Sequence, residues 1–333
     1  MGLVRQNNED NYAVCANLAN PEWSIPQVRE FSDLGKYGSL LVVADGMGGE
    51  NAGEVASQIA IETIQQEFVP QNFEAFLEDD QLIQQFMKDV VKKADLEILN
   101  QSEQDGEKSG MGTTIVILWV LGHRAYVCWC GDSRCYVLSR RYGLTRLSKD
   151  HSYVQELVDM GELHPDYASE HPLSNIITRC LGNKEKRAQP DTRIYELHQD
   201  DILMLCTDGL CGLCPDALIE DVMETNRMDL DVCRDELISV ALNAGGDDNV
   251  TVGLCAIQIE DEENEDEVKD GENEDEEEGE NNQGEIESQE LSSTVPYSLP
   301  KRKITFFRVL LFLLCLSALV AWLFYEKYIV WPF

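Results

Sequence analysis

The stretch Ser39-Leu40-Leu41-Val42-Val43-Ala44-Asp45-Gly46-Met47-Gly48-Gly49 carries an apolar strand directly into an aspartate and a glycine-rich turn. Two further apolar runs end in the same way, one at Gly131-Asp132 and one at Thr207-Asp208-Gly209. A fourth acidic group, Asp247-Asp248-Asn249, stands immediately before another apolar run. A carboxylate at the end of a buried strand is costly unless positive charge compensates it.

Strands of this kind, laid side by side, would bring their carboxylates to one place. Hard divalent cations such as Mg²⁺ and Mn²⁺ prefer an all-oxygen environment of this type. The pattern therefore predicts a metal-dependent hydrolase of phosphate esters.

The arrangement of strands and helices predicts an α+β fold rather than an alternating, doubly wound sheet. Strand-like runs rich in β-branched and aromatic residues cover residues 40–44, 114–120, 124–130, 135–138, 202–206 and 250–259. Two stripes at helical spacing, Ala56 to Phe68 and Ile83 to Ile98, predict two helices with core-facing sides. The pattern weakens over residues 149–185, where we expect a lid with one short helix over residues 153–160.

Composition excludes several classes of protein. The chain has 333 residues and a formal net charge of -36, so nucleic acid is not an expected partner. Its eleven cysteines follow a polar N-terminus without a signal peptide, which predicts free thiols in a reducing compartment.

The C-terminal part differs from the rest of the chain. Residues 259–300 form a strongly acidic linker that lacks an apolar face to fold around. Residues 304–325 are apolar enough to span a bilayer, and Lys301, Arg302 and Lys303 precede them, with residues 326–333 as a short tail. The positive-inside rule then predicts a single-pass C-terminal anchor with the catalytic domain, residues 1–258, in the cytoplasm.

Six motifs along residues 1–258 resemble, in order, those of the metal-dependent protein phosphatases, the type 2C serine/threonine phosphatases. These motifs are Arg5-Gln-Asn-Asn-Glu9-Asp10, Asp45-Gly-Met-Gly-Gly49, Gly110-Met-Gly-Thr-Thr114, Gly131-Asp132-Ser-Arg134, Thr207-Asp208-Gly209 and Asp247-Asp248-Asn249. Together they are far more specific than any one alone. The resemblance, to a bacterial-type member, implies a four-layer α-β-β-α sandwich of two antiparallel sheets.

The resemblance also implies roles for individual residues. Asp45 would bridge two metal ions. Asp208 and Asp248 would complete the ligands of the first ion, and Glu9 and the Gly46 carbonyl would bind the second. Asp132, with Asp208, would hold a weaker third ion. Arg5 would bind the substrate phosphate, and Asp10 and Asn249 would support the ligands from behind. A water activated between two Mg²⁺ or Mn²⁺ ions would attack phosphorus.

Two departures from the family pattern stand out. Some members carry a histidine two residues after the bridging aspartate, where this chain has Met47. Protonation of the leaving oxygen would then fall to a water of the metal site or to His151 in the lid, although a lid histidine is commonly a solvated side chain. The family also has a strand before the segment that begins at Gly2. Either the chain start is too late, or the sheet lacks one edge strand.

We therefore expect a membrane-anchored serine/threonine protein phosphatase that acts on phosphorylated Ser/Thr proteins, with a membrane Ser/Thr kinase as its functional opponent. The alternative is a catalytically weak member of the same fold that binds phosphoproteins as a scaffold. A phosphohydrolase of small molecules is a third hypothesis. The full set of acidic residues favours the first.

Overall fold

A computed structural model describes residues 1–23, 34–48, 52–104 and 110–259, all of which lie in one compact unit, Met1–Glu263. The strands are β1 (Asp10–Cys15), β2 (Ser39–Met47), β3 (Gly112–Thr113), β4 (Ile115–Leu121), β5 (Arg124–Cys130), β6 (Arg134–Ser139), β7 (Gly143–Arg146), β8 (Asp191–Glu196), β9 (Ile202–Cys206) and β10 (Val252–Ala256). The helices are α1 (Ala52–Glu67), α2 (Pro70–Phe73), α3 (Asp80–Gln104), α4 (Tyr153–Asp159), α5 (Asp208–Cys211), α6 (Asp216–Thr225) and α7 (Leu230–Asn243).

The strands form two sheets whose pairings are all antiparallel. The first sheet has the order β1-β2-β4-β5-β8, with β3 paired to the end of β2. The second has the order β10-β9-β6-β7. Strands β4 and β5 are joined by the two-residue turn Gly122-His123, and Gly122 has the positive φ of 54° that such a turn requires. Within the described residues β1 is an edge strand, and its end also bridges from Cys15 to Trp23.

Three apolar cores separate four layers. One lies between the first sheet and helices α1 and α3, and it includes Ala56, Ala60 and Trp119. The second lies between the two sheets. The third lies between the second sheet and helices α6 and α7. Because β2, β4 and β5 are covered on both faces, their sequences are nearly continuous apolar runs, which is why the sequence makes them easy to recognise.

The predicted elements and the observed ones differ mainly in the second half of the chain. The run of strands expected after the first two helices is interrupted by α6 and α7, which the sequence analysis missed. It also missed β1, β7 and β8, whose residues are more exposed and less regularly apolar. The last predicted strand, residues 250–259, is shorter and covers only Val252–Ala256.

The predicted lid, residues 149–185, contains α4 and a 3-10 turn at Pro165–Tyr167. Its first residues pair with its later ones, because Ser152 bridges Ile177 and the Tyr153 amide donates to the Ile176 carbonyl at 2.8 Å. We call this segment the flap.

All ten cysteines among the described residues are free thiols, as the composition predicts. The described part of the chain contains no helix with the length and apolar character to cross a bilayer. The predicted linker beyond residue 259, the predicted span 304–325 and the tail 326–333 lie outside the described residues.

Candidate metal centre

The first sheet brings two acidic segments together at one end. Asp10 pairs with Asp45 across β1 and β2, and the Gly46 amide donates to the Glu9 carbonyl at 3.2 Å. The backbone of Asp45 is fixed on its other side, because its amide donates to Thr114 Oγ1 at 3.1 Å and its carbonyl accepts from the Thr114 amide at 2.9 Å. Glu9, Asp45 and Gly46 therefore lie next to one another on a rigid sheet edge.

Asp10 connects this edge to the second sheet. Its Oδ2 accepts hydrogen bonds from the hydroxyls of Thr207, at 3.0 Å, and Thr251, at 2.7 Å. Thr207 stands between the end of β9 and Asp208, whereas Thr251 lies two residues after Asn249 and directly before β10. One buried carboxylate thus ties together the two strand ends that carry the acidic residues of the second sheet.

Three carboxylates in the centre are buried without full compensation. Burial, and after it the charge of Asp208, raises the pKa of Asp45 well above its ordinary value. The same two causes raise the pKa of Asp132 to about 8. The pKa of Asp208 is raised by burial and by the charge of Asp248. Like charges crowded in a dry site destabilise one another unless protons or cations neutralise them.

Two oxygens of this group are buried with no hydrogen-bond partner, Asp132 Oδ1 and Asp208 Oδ1. A buried carboxylate oxygen without a donor is rare in a folded protein and calls for an ion or a water. Oxygen donors with this excess of negative charge suit a hard divalent cation. The residues present therefore fit the metal ions that the sequence predicts.

The acidic residues of the site also interact with one another and with Arg5. Within the described ranges, no three or more His, Cys, Asp or Glu side chains form a ready ligand group. Burial and the charge of Asp208 raise the pKa of Asp45, and Asp248 accepts a hydrogen bond from Arg5.

Glu9 and Gly46 form the other side of the centre, against the start of α1. A Cβ on Gly46 would collide with the Gly53 carbonyl oxygen, and one on Gly53 would lie 2.9 Å from Glu9 Cδ. The pKa of Glu9 is raised by partial burial and lowered by Arg5. Gly53 is a site residue that the sequence analysis missed, although a glycine near the start of an apolar helical stripe was a visible signal.

Asn249 holds the N-terminal segment against the centre. Its Oδ1 accepts from the Glu9 amide at 2.8 Å, and its Nδ2 donates to the Asn7 carbonyl at 3.0 Å. Next to it, Arg5 Nη2 donates to Asp248 Oδ2 at 2.7 Å. Asp248 is therefore brought close to Arg5 and Glu9, from which it is distant in sequence.

Arg134 is a second residue whose role the sequence analysis did not identify. It donates to Asp150 at the start of the flap, at 2.7 Å, and to the Cys211 carbonyl in α5 at 3.3 Å. Its charge opposes the rise in the pKa of Asp208 that burial and Asp248 cause. A buried arginine with several partners of this kind fixes three segments at once.

His151 is not a solvated side chain, so that expectation for it is wrong, and both ring nitrogens lie within hydrogen-bond distance of other groups. It is only 5% exposed and stacks on Trp129. The Gly131 amide donates to its Nδ1 at 3.1 Å, and its Nε2 lies 3.1 Å from Asp191 Oδ2. Burial lowers the pKa of His151.

Comparison with known proteins agrees with this geometry. A family model described as protein phosphatase 2C matches residues 30–239. The serine/threonine phosphatase stp of Listeria monocytogenes is 33% identical over 251 residues, which are 75% of this chain and 90% of that protein. The solved S. agalactiae serine/threonine phosphatase is 30% identical with a TM-score of 0.64, over 76% of this chain and 95% of that one. The catalytic domain of the phosphatase PstP, solved with two manganese ions, is 33% identical with a TM-score of 0.58, over 77% of this chain and 93% of that one.

Proposed function

The chain belongs to the protein phosphatase 2C family and is a metal-dependent serine/threonine protein phosphatase, a hydrolase, and on that premise we propose which of its residues perform the reaction. Asp45, Asp208 and Asp248 hold one divalent cation, and Asp45, Glu9 and the Gly46 carbonyl hold a second. The observation that carries this assignment is the buried, unpartnered Oδ1 of Asp208 beside the raised pKa of Asp45.

Two divalent cations, when bound, would lower the pKa of a water and neutralise charge on the phosphoryl oxygens. The protein supplies the rest. Asp10 and Asn249 hold the two sheets and the N-terminal segment in register, which keeps Glu9 and Asp208 at the site. Arg5, half exposed at the rim, offers a planar guanidinium to the phosphate of a phosphoserine or phosphothreonine.

We assign the weaker third ion to Asp132 together with Asp208. Both carboxylates keep an unpartnered oxygen in a buried position, and burial and the charge of Asp208 raise the pKa of Asp132. The carboxylate pair lies on the side of the flap, since Asp132 follows Gly131, which His151 contacts.

The test is hydrolysis of an aryl phosphate and of a phosphothreonine peptide by the full chain, with Mn²⁺, with Mg²⁺ and after removal of metal by EDTA and dialysis. We expect turnover with either ion and none without them. Asp45→Asn should reduce kcat on the order of a hundredfold or more. Full activity in excess EDTA would contradict the metal assignment, whereas a folded chain that binds phosphopeptide without turnover would support the scaffold alternative.

We further propose that residues 304–325 anchor the enzyme to a membrane with the catalytic domain on the cytoplasmic side. The basis is the sequence: an apolar run of about the length that a bilayer requires, preceded by Lys301, Arg302 and Lys303. Its substrates would then include proteins phosphorylated by a membrane Ser/Thr kinase.

Fractionation tests the anchor directly. The full chain should stay with membranes through carbonate extraction, and protease added from the cytoplasmic side should release an active fragment that ends near the acidic linker. Recovery of the full chain in the soluble fraction, or release from the opposite side, would reject this topology without affecting the catalytic assignment.

A further inference from the structure

His151 contacts both backbone polar groups of Gly131, the residue before Asp132. Its backbone amide donates to the Gly131 carbonyl at 2.9 Å, and its ring Nδ1 accepts from the Gly131 amide at 3.1 Å. Backbone amides rarely use a histidine nitrogen as acceptor when a carbonyl is available. Both polar groups of Gly131 are therefore satisfied by one residue.

The ring can accept this hydrogen bond only in one tautomer. Nδ1 must be unprotonated, so a neutral ring carries its proton on Nε2. Asp191 Oδ2, 3.1 Å from Nε2, is placed to accept that proton's hydrogen bond. Arg179 Nη1 lies 3.3 Å from the same carboxylate oxygen and 3.4 Å from Nε2. Asp191 thus selects the tautomer whose Nδ1 lone pair faces Gly131.

The backbone turn at Gly131 is also restricted on the side opposite His151. Gly131 has a φ of 127°, and a Cβ there would meet the side chain of Thr114. Ser133, two residues later, hydrogen-bonds Thr114 through their hydroxyls at 2.7 Å. With His151 on one side and Thr114 on the other, the direction of the Asp132 side chain is set by its neighbours.

One oxygen of the side chain so directed has no hydrogen-bond partner. Asp132 is 8% exposed, and its Oδ1 makes no hydrogen bond. We propose that His151 is the positioning residue of the Asp132 cation site and that it acts through the Gly131 amide. This inference rests on the proposed function, since it concerns the weaker ion assigned above to Asp132 and Asp208.

A matched pair of substitutions distinguishes the roles of the two ring nitrogens of His151. In His151→Asn the side-chain Oδ1 stands near the position of Nδ1 and still accepts from Gly131, whereas His151→Gln places its polar group near the position of Nε2. If His151 acts through Nδ1, the Asn variant should keep the Mn²⁺ affinity of the weaker site and the protection of the Gly131 amide, and the Gln variant should lose both. A role in packing alone would make the larger Gln the milder change.

The first readout is calorimetric titration of the metal-free full chain with Mn²⁺. We expect H151Q to weaken the weakest Mn²⁺ site by roughly tenfold or more, as the loss of a residue behind a metal ligand commonly does. H151N should stay within about threefold of the wild type, and the two tighter sites should change little in both variants. A wild-type isotherm without a third, weaker site would overturn the inference, as would equal losses in H151N and H151Q.

The second readout needs no metal. Hydrogen exchange in the peptide that contains Gly131 should be faster in H151Q than in the wild type and unchanged in H151N. Unchanged exchange in H151Q would overturn the inference even if the proposed function holds. Conversely, a wild type that neither binds Mn²⁺ nor hydrolyses phosphopeptide would reject the proposed function, while the exchange data would still decide the role of His151 at the turn.

Should H151Q fail to fold, Asp191→Asn takes its place. That change keeps the ring and its packing but replaces the carboxylate that selects the Nε2–H tautomer. We expect faster exchange at Gly131 and a weaker third Mn²⁺ site, in the same direction as H151Q but smaller. Wild-type values for both would contradict the tautomer argument.

Discussion

Arg5 Nη2 donates to Asp248 Oδ2 at 2.7 Å, so the arginine proposed to bind phosphate is paired with a carboxylate proposed to bind metal. Asp248 is the main reason that the pKa of Arg5 is raised. The pair is partly exposed, with 52% of the Arg5 side chain accessible, so its contribution to stability is small. A divalent cation would compete with Arg5 for the same carboxylate.

Replacing Arg5 should therefore change metal binding and substrate binding in opposite directions. In Arg5→Ala, we expect KM for a phosphothreonine peptide to rise about tenfold, because a charged hydrogen bond to phosphate is lost. Since that contact exists in the ground state, kcat should change less. The apparent Mn²⁺ affinity should rise by up to about fivefold, because an exposed ion pair at Asp248 no longer competes. Steady-state kinetics and calorimetry measure the two effects separately.

Arg5→Lys is the matched control. It keeps the positive charge near Asp248 but loses the planar, two-pronged contact with phosphate. Its Mn²⁺ affinity should resemble the wild type while KM stays high. If Arg5→Ala weakens Mn²⁺ binding, or lowers kcat with KM unchanged, the proposal that Arg5 competes with the cation for Asp248 is wrong.

Asp45→Asn should damage catalysis and spare the fold. Burial and the charge of Asp208 disfavour ionised Asp45 in the metal-free protein. Removing that charge relieves repulsion, so the metal-free variant should melt at or above the temperature of the wild type. In the presence of saturating Mn²⁺ the order should reverse, because the variant gains less from the ion. Melting curves with and without Mn²⁺ provide the measurement, and a variant that melts lower in both conditions would contradict this account.

The stability of the metal-free protein should fall as pH rises. Burial raises the pKa of Asp10 to about 6 and that of Asp132 to about 8, and it also raises the pKa of Asp45 and Asp208. The folded state therefore binds more protons than the unfolded chain, and the stability contributed by each acid disappears as pH passes its folded-state pKa.

We expect the melting temperature of the metal-free chain to drop between about pH 6.5 and about pH 9, a window that contains the titration of Asp132. Saturating Mn²⁺ should abolish the drop, because the ion replaces the protons. Burial lowers the pKa of His151, so this residue makes the protein more stable as pH rises, but only at pH values below the ordinary pKa of histidine. A metal-free protein that grows more stable over this window would show that the acids are not buried as described.

The central strands could be predicted from the sequence because they are buried on both faces. Arg124–Cys130 and Ile202–Cys206 were predicted with the observed bounds. Strands with one covered face or at an edge, such as Asp191–Glu196, lack such a run and were missed. The missed helix Leu230–Asn243 did carry a signal, since Asp229 caps it and Cys233, Leu237 and Ala241 recur at helical spacing.

For the site, Asp45, Asp132 and Asp208 could be singled out because each follows a recognisable strand, and Asp248 because it precedes one, whereas Glu9 was named from the family resemblance. What could not be predicted is which distant groups meet them. The contacts of Asn249 with Glu9 and of His151 with Gly131 depend on how the two sheets and the flap pack, and no local pattern encodes such pairs. The same packing buries His151, although the segment around it is otherwise polar.

Gly53 provides a test of how tightly α1 packs on the centre. An alanine in place of a helical glycine ordinarily stabilises by about 1 kcal/mol. Here the new Cβ would stand 2.8 Å from the Gly46 carbonyl carbon and 2.9 Å from Glu9 Cδ. The helix start or the two proposed ligands must then move. We expect Gly53→Ala to lower stability by about 1–3 kcal/mol, as overpacking does.

The same change should weaken Mn²⁺ binding, because Glu9 and the Gly46 carbonyl are the ligands proposed for one of the two principal ions. Gln66→Ala, at an exposed position of the same helix, is the control and should leave stability and Mn²⁺ affinity nearly unchanged. Urea unfolding and calorimetry with Mn²⁺ give both quantities for each variant. A Gly53→Ala protein with the ordinary helical gain in stability would mean that α1 does not press on the centre. Lost stability with wild-type Mn²⁺ affinity would mean that Glu9 and Gly46 are not ligands.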